Sequence, residues 1–478
     1  MDKYRRVEFE AASKASTGFG HSFDNMKSNI DNKINSKDKN SKKNSKTDGL
    51  FPDEIVKENL KWKSMTSVGP GLYNHGNTCY LNSALQCLIH TPALAQIFLN
   101  KNGELEYLLK NQQRLVVMQQ LRSVLVNAWS AGNHNNKKAI SPTGIVHNIR
   151  LVAKSFRPGR QEDAHEFIVQ LLDKIHESML KLHGIKLSDK FANTTVISRI
   201  FGGMLRNELK CCQCGYKSHT FNSFMDLSLD ITKGISSVSS AVAAFTKPEM
   251  LDRGNEWKCE KCKKKVKAIK QMVVHKAPNV LMLHLKRFNY NGKINKHIDF
   301  QVKMQLPCIE NDKQIKIPYH LTGIVVHHGH STRSGHYVAY VKAPNDTWCE
   351  MNDSSVHRCS MDSLLGQEAY ILFYSRILPE NINSNSNSNL HVNNNPKLEI
   401  VESKMAQQFQ QNVEQEQREK EKKKDSKAIK TNLNDIGEII NPNTTKKMKT
   451  PLVPVYLPSS TVSSGDSGDV LSSELDVV

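Results

Sequence analysis

Three things are scarce in this 478-residue chain. No apolar run approaches the roughly 18 residues that a membrane-spanning helix needs, so no membrane partner is expected. The opening Met1-Asp2-Lys3-Tyr4-Arg5-Arg6 has no apolar stretch behind it, so no secretory signal is expected either. Together these absences argue for a reducing compartment, the nucleus, the cytoplasm or both. The ten cysteines are then ligands, nucleophile or core filler rather than disulfides. The third scarcity is of apolar residues at both ends. Residues 1–66 are dominated by Ser, Asn, Lys and Asp, and residues 378–478 by Asn/Ser repeats, a Gln/Glu/Lys stretch and a Ser-rich acidic end. Neither end can bury a core, so both are expected to be disordered, with at most a marginal helix over Leu398 to Lys424.

What remains is one large domain over 67–377, which holds almost all the periodic apolar sequence. Its early part repeats Leu, Val and Met at helical spacing, from Glu104 to Ser130 and from Gln161 to Leu182. Short β-rich runs follow: Phe221 to Asp230, Val280 to Phe288, Ile324 to His327, Tyr337 to Lys342 and Tyr370 to Tyr374. Helices first and strands later predict an α+β domain with a helical lobe and a β-rich lobe. The formal net charge of +19, with seven lysines between Lys258 and Lys270, fits either a solvated basic surface or attraction to nucleic acid or an acidic nuclear partner.

The segment Gly71-Leu72-Tyr73-Asn74-His75-Gly76-Asn77-Thr78-Cys79-Tyr80-Leu81-Asn82-Ser83 places a cysteine at the mouth of a helix. Beyond it, Leu81, Ala84, Leu85, Leu88 and Ile89 trace one buried helical face. Cys79 therefore sits in the first turn, where unpaired N–H groups and the helix dipole favour a thiolate. Asn74, in the turn before it, carries an amide able to donate to an oxyanion. Cys87, deep in the apolar pattern, reads as core. Far along the chain, Ser334-Gly335-His336-Tyr337-Val338-Ala339-Tyr340 puts a histidine at the head of a strand. An imidazole facing Cys79 would take its proton and return it to a leaving amine. His327, His328 and His330 lie nearby, but their spacing does not suit zinc, and their Gly and Ser neighbours suggest a mobile loop.

Cys211-Cys212-Gln213-Cys214 and Cys259-Glu260-Lys261-Cys262 form two C-x-x-C knuckles. Cys211, Cys214, Cys259 and Cys262 are expected to hold one structural zinc, with Cys212 spare. Four thiolates leave no open position for water, so no metal or other cofactor is expected in the chemical step.

The stretch from Gly71 to Ser83 resembles the cysteine box of the ubiquitin-specific proteases, papain-like deubiquitinating cysteine peptidases. Leu283-His284-Leu285-Lys286-Arg287-Phe288, Gly335-His336-Tyr337 and Tyr370-Ile371-Leu372-Phe373-Tyr374 are similar to further blocks of that family, in its order. The resemblance covers about Ser67 to Arg376. It implies a papain-like two-lobed core, a zinc-bearing β finger over about 196–290 that cups the body of ubiquitin, and hydrolysis after ubiquitin's C-terminal glycine through a Cys79 thioester. Trp348-Cys349-Glu350-Met351-Asn352-Asp353 falls where the family places the residue that orients the histidine. Asn352 occupies that place and Asp353 follows it, so either the amide orients His336 or the carboxylate supplies charge. Arg160-Gln161-Glu162-Asp163-Ala164-His165-Glu166-Phe167 resembles a block implying that Gln161 and Asp163 hold the arginine-bearing tail of ubiquitin. The expected partners are ubiquitin and ubiquitinated proteins, and the expected state is a monomer. The competing readings are a catalytically weak ubiquitin-binding scaffold and a protease for another ubiquitin-like modifier.

Overall fold

In a computed structural model, the described residues are 49–379 except 113, 131–138, 233, 290–291 and 332–333. The rest of the two tails expected to be disordered, with the stretch from Leu398 to Lys424, lies outside them. The helical half contains Asp53–Glu58, Cys79–Ile89, Pro92–Leu99, Glu104–Asn111, Val116–Trp129 and Ala164–Leu182 among its elements. None of the described helices is long and apolar enough to cross a membrane.

The Cys79–Ile89 helix is buried along its whole length. This explains why even its polar residues carry internal hydrogen bonds: Gln86 donates to Pro70 O, and Asn82 to Leu72 O and Tyr73 O. The long Ala164–Leu182 helix packs an apolar face of Phe167, Ile168, Leu171, Leu172 and Ile175 beside it. Its start is fixed by Asp163, whose carboxylate accepts from the backbone N–H groups of His165 and Glu166.

The β-rich half is a mixed sheet. In spatial order its strands are Ser355–Arg358, Trp348–Asn352, Ser334–Lys342, Lys313–Ser331, Ala369–Arg376, Val280–Leu285 and Leu227–Leu229. Lys303–Glu310 pairs with the first half of the long Lys313–Ser331 strand. All the pairs are antiparallel except Leu227–Leu229 against Val280–Leu285. The central strands Val280–Leu285 and Ala369–Arg376 are apolar on both faces, as sandwiched strands must be. Helices cover one face, and the Cys79 helix lies directly against Ser334–Lys342. A second, four-stranded sheet runs Lys217–Phe224, Gly203–Cys211, Ala268–Lys276, Glu249–Leu251, with the cysteine knuckles at one end. The chain is thus α+β, with a separate β extension where a finger was expected.

Two expectations need correction. Residues 49–66 are not part of a disordered end: Asp53–Glu58 is a helix, and Phe51, Ile55, Val56 and Leu60 are buried. Polar contacts tie this segment down, with Arg199 Nε donating to Phe51 O and Asn279 Nδ2 to Asp53 Oδ1. The four buried side chains do not stand out among the charged and polar residues of the segment, yet they meet a core built by distant chain. His327 and His328 are likewise not in a mobile loop, because the Lys313–Ser331 strand runs through them. His327 is buried against Tyr337, ring centroids 4.5 Å apart, and burial pushes its pKa down to about 4.

Leu60 is 2% exposed. Leu60→Ala is therefore expected to cost roughly 2–5 kcal/mol, the usual range for a buried leucine. Urea unfolding followed by tryptophan fluorescence measures this; an unchanged midpoint would mean that 49–66 does not pack.

Candidate active site

Cys79 opens its helix immediately after Thr78, in a turn where Asn77 adopts the left-handed conformation at φ 58° and Gly76 at φ 80°. The Asn74 side chain spans this turn. Its Oδ1 accepts from Thr78 N at 3.1 Å, which leaves the amide nitrogen to donate elsewhere. Cys79 is 1% exposed and lies beside the His336 imidazole, which arrives from the neighbouring strand.

That contact, foremost, raises the His336 pKa to about 9; burial opposes it, and Asn352 adds to it. His336 Nε2 lies 2.8 Å from Asn352 Oδ1, so the amide oxygen accepts the ring proton and fixes the tautomer. At neutral pH the arrangement favours an imidazolium beside a sulfur, which is the charge state that activates a thiol.

The Asp353 carboxylate is turned away from the imidazole. The residue sits at φ 48° in the turn after Asn352, and its side chain faces the Cys79 helix. Oδ2 accepts from Asn74 Nδ2 at 2.9 Å, and Oδ1 from Asn82 Nδ2 at 2.8 Å. Its carbonyl accepts from Leu72 N at 2.8 Å. The approach is so close that a Cβ on Gly71 would come within 2.4 Å of Ser354 O. One turn thus delivers Asn352 to the histidine and Asp353 to the expected oxyanion arm. The structure brings Cys79, His336, Asn352, Asp353 and Asn74 into one cluster. Asn82, a polar residue three positions after Cys79 and 1% exposed, belongs to it and does not stand out in the sequence. A polar residue one turn along the buried face of the candidate nucleophile's helix is the available signal.

Gln161 and Asp163 both have intramolecular partners. Gln161 Nε2 donates to Gly335 O at 2.6 Å, while Gly335 N donates to Gln161 Oε1 at 3.1 Å. Asp163, besides capping its helix, accepts from Tyr370 OH at 2.7 and 2.9 Å. Beside them runs a broad groove whose walls include Asn77, Gln161, Glu166, Asp173, Glu177 and Gly335. Glu166, Asp173 and Glu177 share a face of the Ala164–Leu182 helix. Burial first, then Glu177 and Asp226, raise the Asp173 pKa to about 6. Burial and the neighbouring Asp163 and Glu162 raise that of Glu166. Both signs of charge line the groove, with Arg150, Lys154, Arg157, Arg160, Lys174 and Lys286 also among its walls. The stripe follows from helical spacing, but the sequence alone gave no reason to single it out.

Deeper in the same wall, His165 and His284 stack with centroids 3.7 Å apart and planes 12° apart. His165 Nε2 bonds Asp226 Oδ2 at 3.0 Å, and Ser228 Oγ lies 2.7 Å from His284 Nδ1. Near-parallel rings keep their lone pairs in separate planes, so this cluster suits hydrogen bonding better than a shared metal ion.

At the end of the second sheet, the sulfurs of Cys211, Cys214, Cys259 and Cys262 all lie within 4.8 Å of one another. Cys211–Cys262 measures 3.9 Å and Cys214–Cys259 3.7 Å. Backbone N–H groups of Gln213 and Cys214 donate to Cys211 Sγ, and that of Cys262 to Cys259 Sγ, each at 3.4 Å. Cys212 is exposed and lies outside the group.

A family model described as ubiquitin carboxyl-terminal hydrolase matches residues 70–374. Among curated relatives, the chain is similar to "Probable ubiquitin carboxyl-terminal hydrolase 16" of Schizosaccharomyces pombe, 38% identical over 68% of this chain and 70% of that protein. It is also 39% identical to ubiquitin carboxyl-terminal hydrolase 42 of Homo sapiens, over 68% of this chain but 24% of that protein. The chain thus spans most of the fission-yeast relative and about a quarter of the human one. A similar solved structure is the SAGA Ubp8/Sgf11/Sus1/Sgf73 DUB module bound to ubiquitin aldehyde. There the TM-score is 0.55 at 28% identity, covering 68% of this chain and 73% of that one. With a family match over most of the described domain, this chain belongs to the ubiquitin carboxyl-terminal hydrolase family, whose members are cysteine peptidases.

Proposed function

We propose that this chain is a deubiquitinating thiol protease that hydrolyses the bond after the C-terminal glycine of ubiquitin. The observation that carries the reading is the Cys79–His336–Asn352 arrangement, with a raised imidazole pKa, beside a groove whose walls reach Asn77 and Gly335. The groove carries both signs of charge, and within it the stripe of Glu166, Asp173 and Glu177 suits the basic side chains of an extended peptide such as the arginine-bearing tail of ubiquitin. Gln161 and Asp163 would then shape that channel and Glu166 and Asp173 provide its negative charge. A binding-only scaffold would need neither the imidazole–thiol contact nor its orienting amide.

In this reading the Cys79 thiolate attacks the glycine carbonyl carbon, and the electron pair moves onto oxygen. Asn74 donates one amide N–H to Asp353, which leaves its other N–H for that oxyanion. The His336 imidazolium gives its proton to the leaving amine as the C–N bond breaks, forming a thioester. Neutral His336 then takes a proton from water, whose oxygen attacks the thioester. Cys79 leaves as thiolate with ubiquitin's free carboxylate as product. Asn352 holds the ring through both steps. Asp353 keeps Asn74 aimed and the helix bearing Cys79 in place, so its charge acts on the oxyanion side.

The four-cysteine cluster fits zinc. A tetrahedral site with bonds of about 2.3 Å places sulfurs roughly 3.8 Å apart, and the two measured pairs lie at 3.9 and 3.7 Å. When bound, zinc supplies folding energy by closing two hairpins onto one centre, with no open position for chemistry.

Hydrolysis of a ubiquitin C-terminal fluorogenic amide tests the catalytic reading. Cys79→Ala and His336→Ala are expected to abolish it, and Asn74→Ala and Asp353→Ala to lower kcat by roughly 10²–10³, the usual effect of losing an oxyanion donor. Full activity in Cys79→Ala would overturn the assignment. In the wild type, the proton on His336 is held below about 9 and lost above it, so kcat/KM should fall as pH rises through about 9. The hydrogen bond to Asn352 raises that value, so Asn352→Ala should move the alkaline fall to lower pH.

For the metal, Cys259→Ser should lower the melting temperature and the zinc content from about one per chain. A zinc-free protein with unchanged melting in Cys259→Ser would remove zinc from the picture.

A further inference from the structure

The two reacting side chains sit on different elements, Cys79 on a helix and His336 on a strand. One short polar segment, residues 157–163, is bonded to both. At its near end Asn77, two residues before Cys79 and at φ 58°, donates from Nδ2 to Gly159 O at 2.9 Å. Two residues on, the Gln161 carboxamide takes both backbone groups of Gly335, as the donor to its carbonyl at 2.6 Å and the acceptor from its N–H at 3.1 Å. At its far end Asp163 receives the Tyr370 hydroxyl from the strand Ala369–Arg376 and caps the Ala164–Leu182 helix.

Gly335 is the residue on which the direction of His336 depends. Its φ is +152°, and a Cβ there would lie 2.4 Å from His328 O and 2.5 Å from His327 Nε2. Glycine is therefore required, and glycine is the residue with the most backbone freedom to lose. The strand Trp348–Asn352 that flanks Ser334–Lys342 pairs with it only from Ala339 to Lys342, so it leaves Gly335 unpaired on that side. Gln161 does there what a neighbouring strand would do, bonding the N–H and C=O of one residue together.

We propose that Gln161 is a positioning residue: its amide clamps Gly335 and so holds His336 facing Cys79, with Asn77–Gly159 tying the same strap to the Cys79 turn. This rests on Cys79 and His336 being the reacting pair. It assigns Gln161 to the alignment of the enzyme's own groups rather than to grip on ubiquitin, the role its motif suggested. Misplacing a reacting group by about 1 Å costs on the order of 10²-fold in rate, so a clamp on the adjacent residue has a large effect without touching substrate.

The test uses the full chain with two substitutions, Gln161→Ala and Gln161→Met, the second keeping length and bulk without either hydrogen bond. Folding of each is checked by thermal melting. The first readout is the rate of Cys79 alkylation by iodoacetamide against pH, which needs no ubiquitin. The second is ubiquitin affinity measured in the Cys79→Ala background. The expected result is that both substitutions slow Cys79 alkylation at neutral pH and lower kcat by roughly 10- to 100-fold. Ubiquitin affinity and KM should stay within about twofold. Unchanged alkylation profiles with affinity weakened tenfold or more would overturn the proposal in favour of a substrate contact. A wild-type profile in Gln161→Met alone would overturn it in favour of simple shape filling. Failure of the underlying reading looks different: wild-type Cys79 would itself resist a ubiquitin probe with a C-terminal electrophile.

Discussion

The contact between the Cys79 thiol and the His336 imidazole is the constraint around which the rest of the domain is arranged. A thiol becomes a nucleophile by losing its proton to a partner that stays charged, and here that partner arrives from a different element. Packing the Cys79–Ile89 helix directly on the Ser334–Lys342 strand brings the groups near, but packing alone leaves their directions free. The directions are set by amides. Asn352 fixes the ring, Asn74 and Asn82 fix the turn and helix on the cysteine side, and Gln161 meets the residue before the histidine. Each is neutral, so the imidazolium and the developing oxyanion stay the main charges at the centre.

Asp353 is the exception, and its place is informative. A carboxylate bonded straight to the imidazole would stabilise the imidazolium most, whereas here it is set back, accepting from two asparagines. It still raises the His336 pKa at a distance, by less than Cys79 and Asn352 do. In the proposed mechanism, orienting the imidazole and supplying charge are divided between neighbours in a single turn. The groove, by contrast, gathers charges of both signs, and there burial foremost raises the pKa values of Glu166 and Asp173.

Much of this is readable in the chain because it depends on local rules. A glycine- and asparagine-rich turn before an apolar period of 3.6 places Cys79 at a helix start, and alternation after His336 makes a strand. Matched C-x-x-C pairs mark the four-cysteine group. What escapes reading depends on residues distant in sequence. Asn74 and Asp353 are 279 positions apart, and Gln161 and Gly335 are 174 apart. Residues 49–66 look like tail because a six-residue helix without a capping side chain is unstable alone. It forms because the core offers its apolar residues a surface. His327 reads as loop on the strength of its Gly and Ser neighbours. Gly329, at φ +145°, instead serves a tight crossing against Gly335 at the end of a continuous strand.

Whether the thiol–imidazole pair is the reacting centre is tested most directly by treating the full chain with ubiquitin bearing a C-terminal electrophile and mapping the adduct by peptide mass spectrometry. A single ubiquitin adduct on Cys79, lost in His336→Ala at neutral pH, is the predicted result. An adduct on Cys87 or on a knuckle cysteine, or labelling of Cys79 that is indifferent to His336, would contradict it.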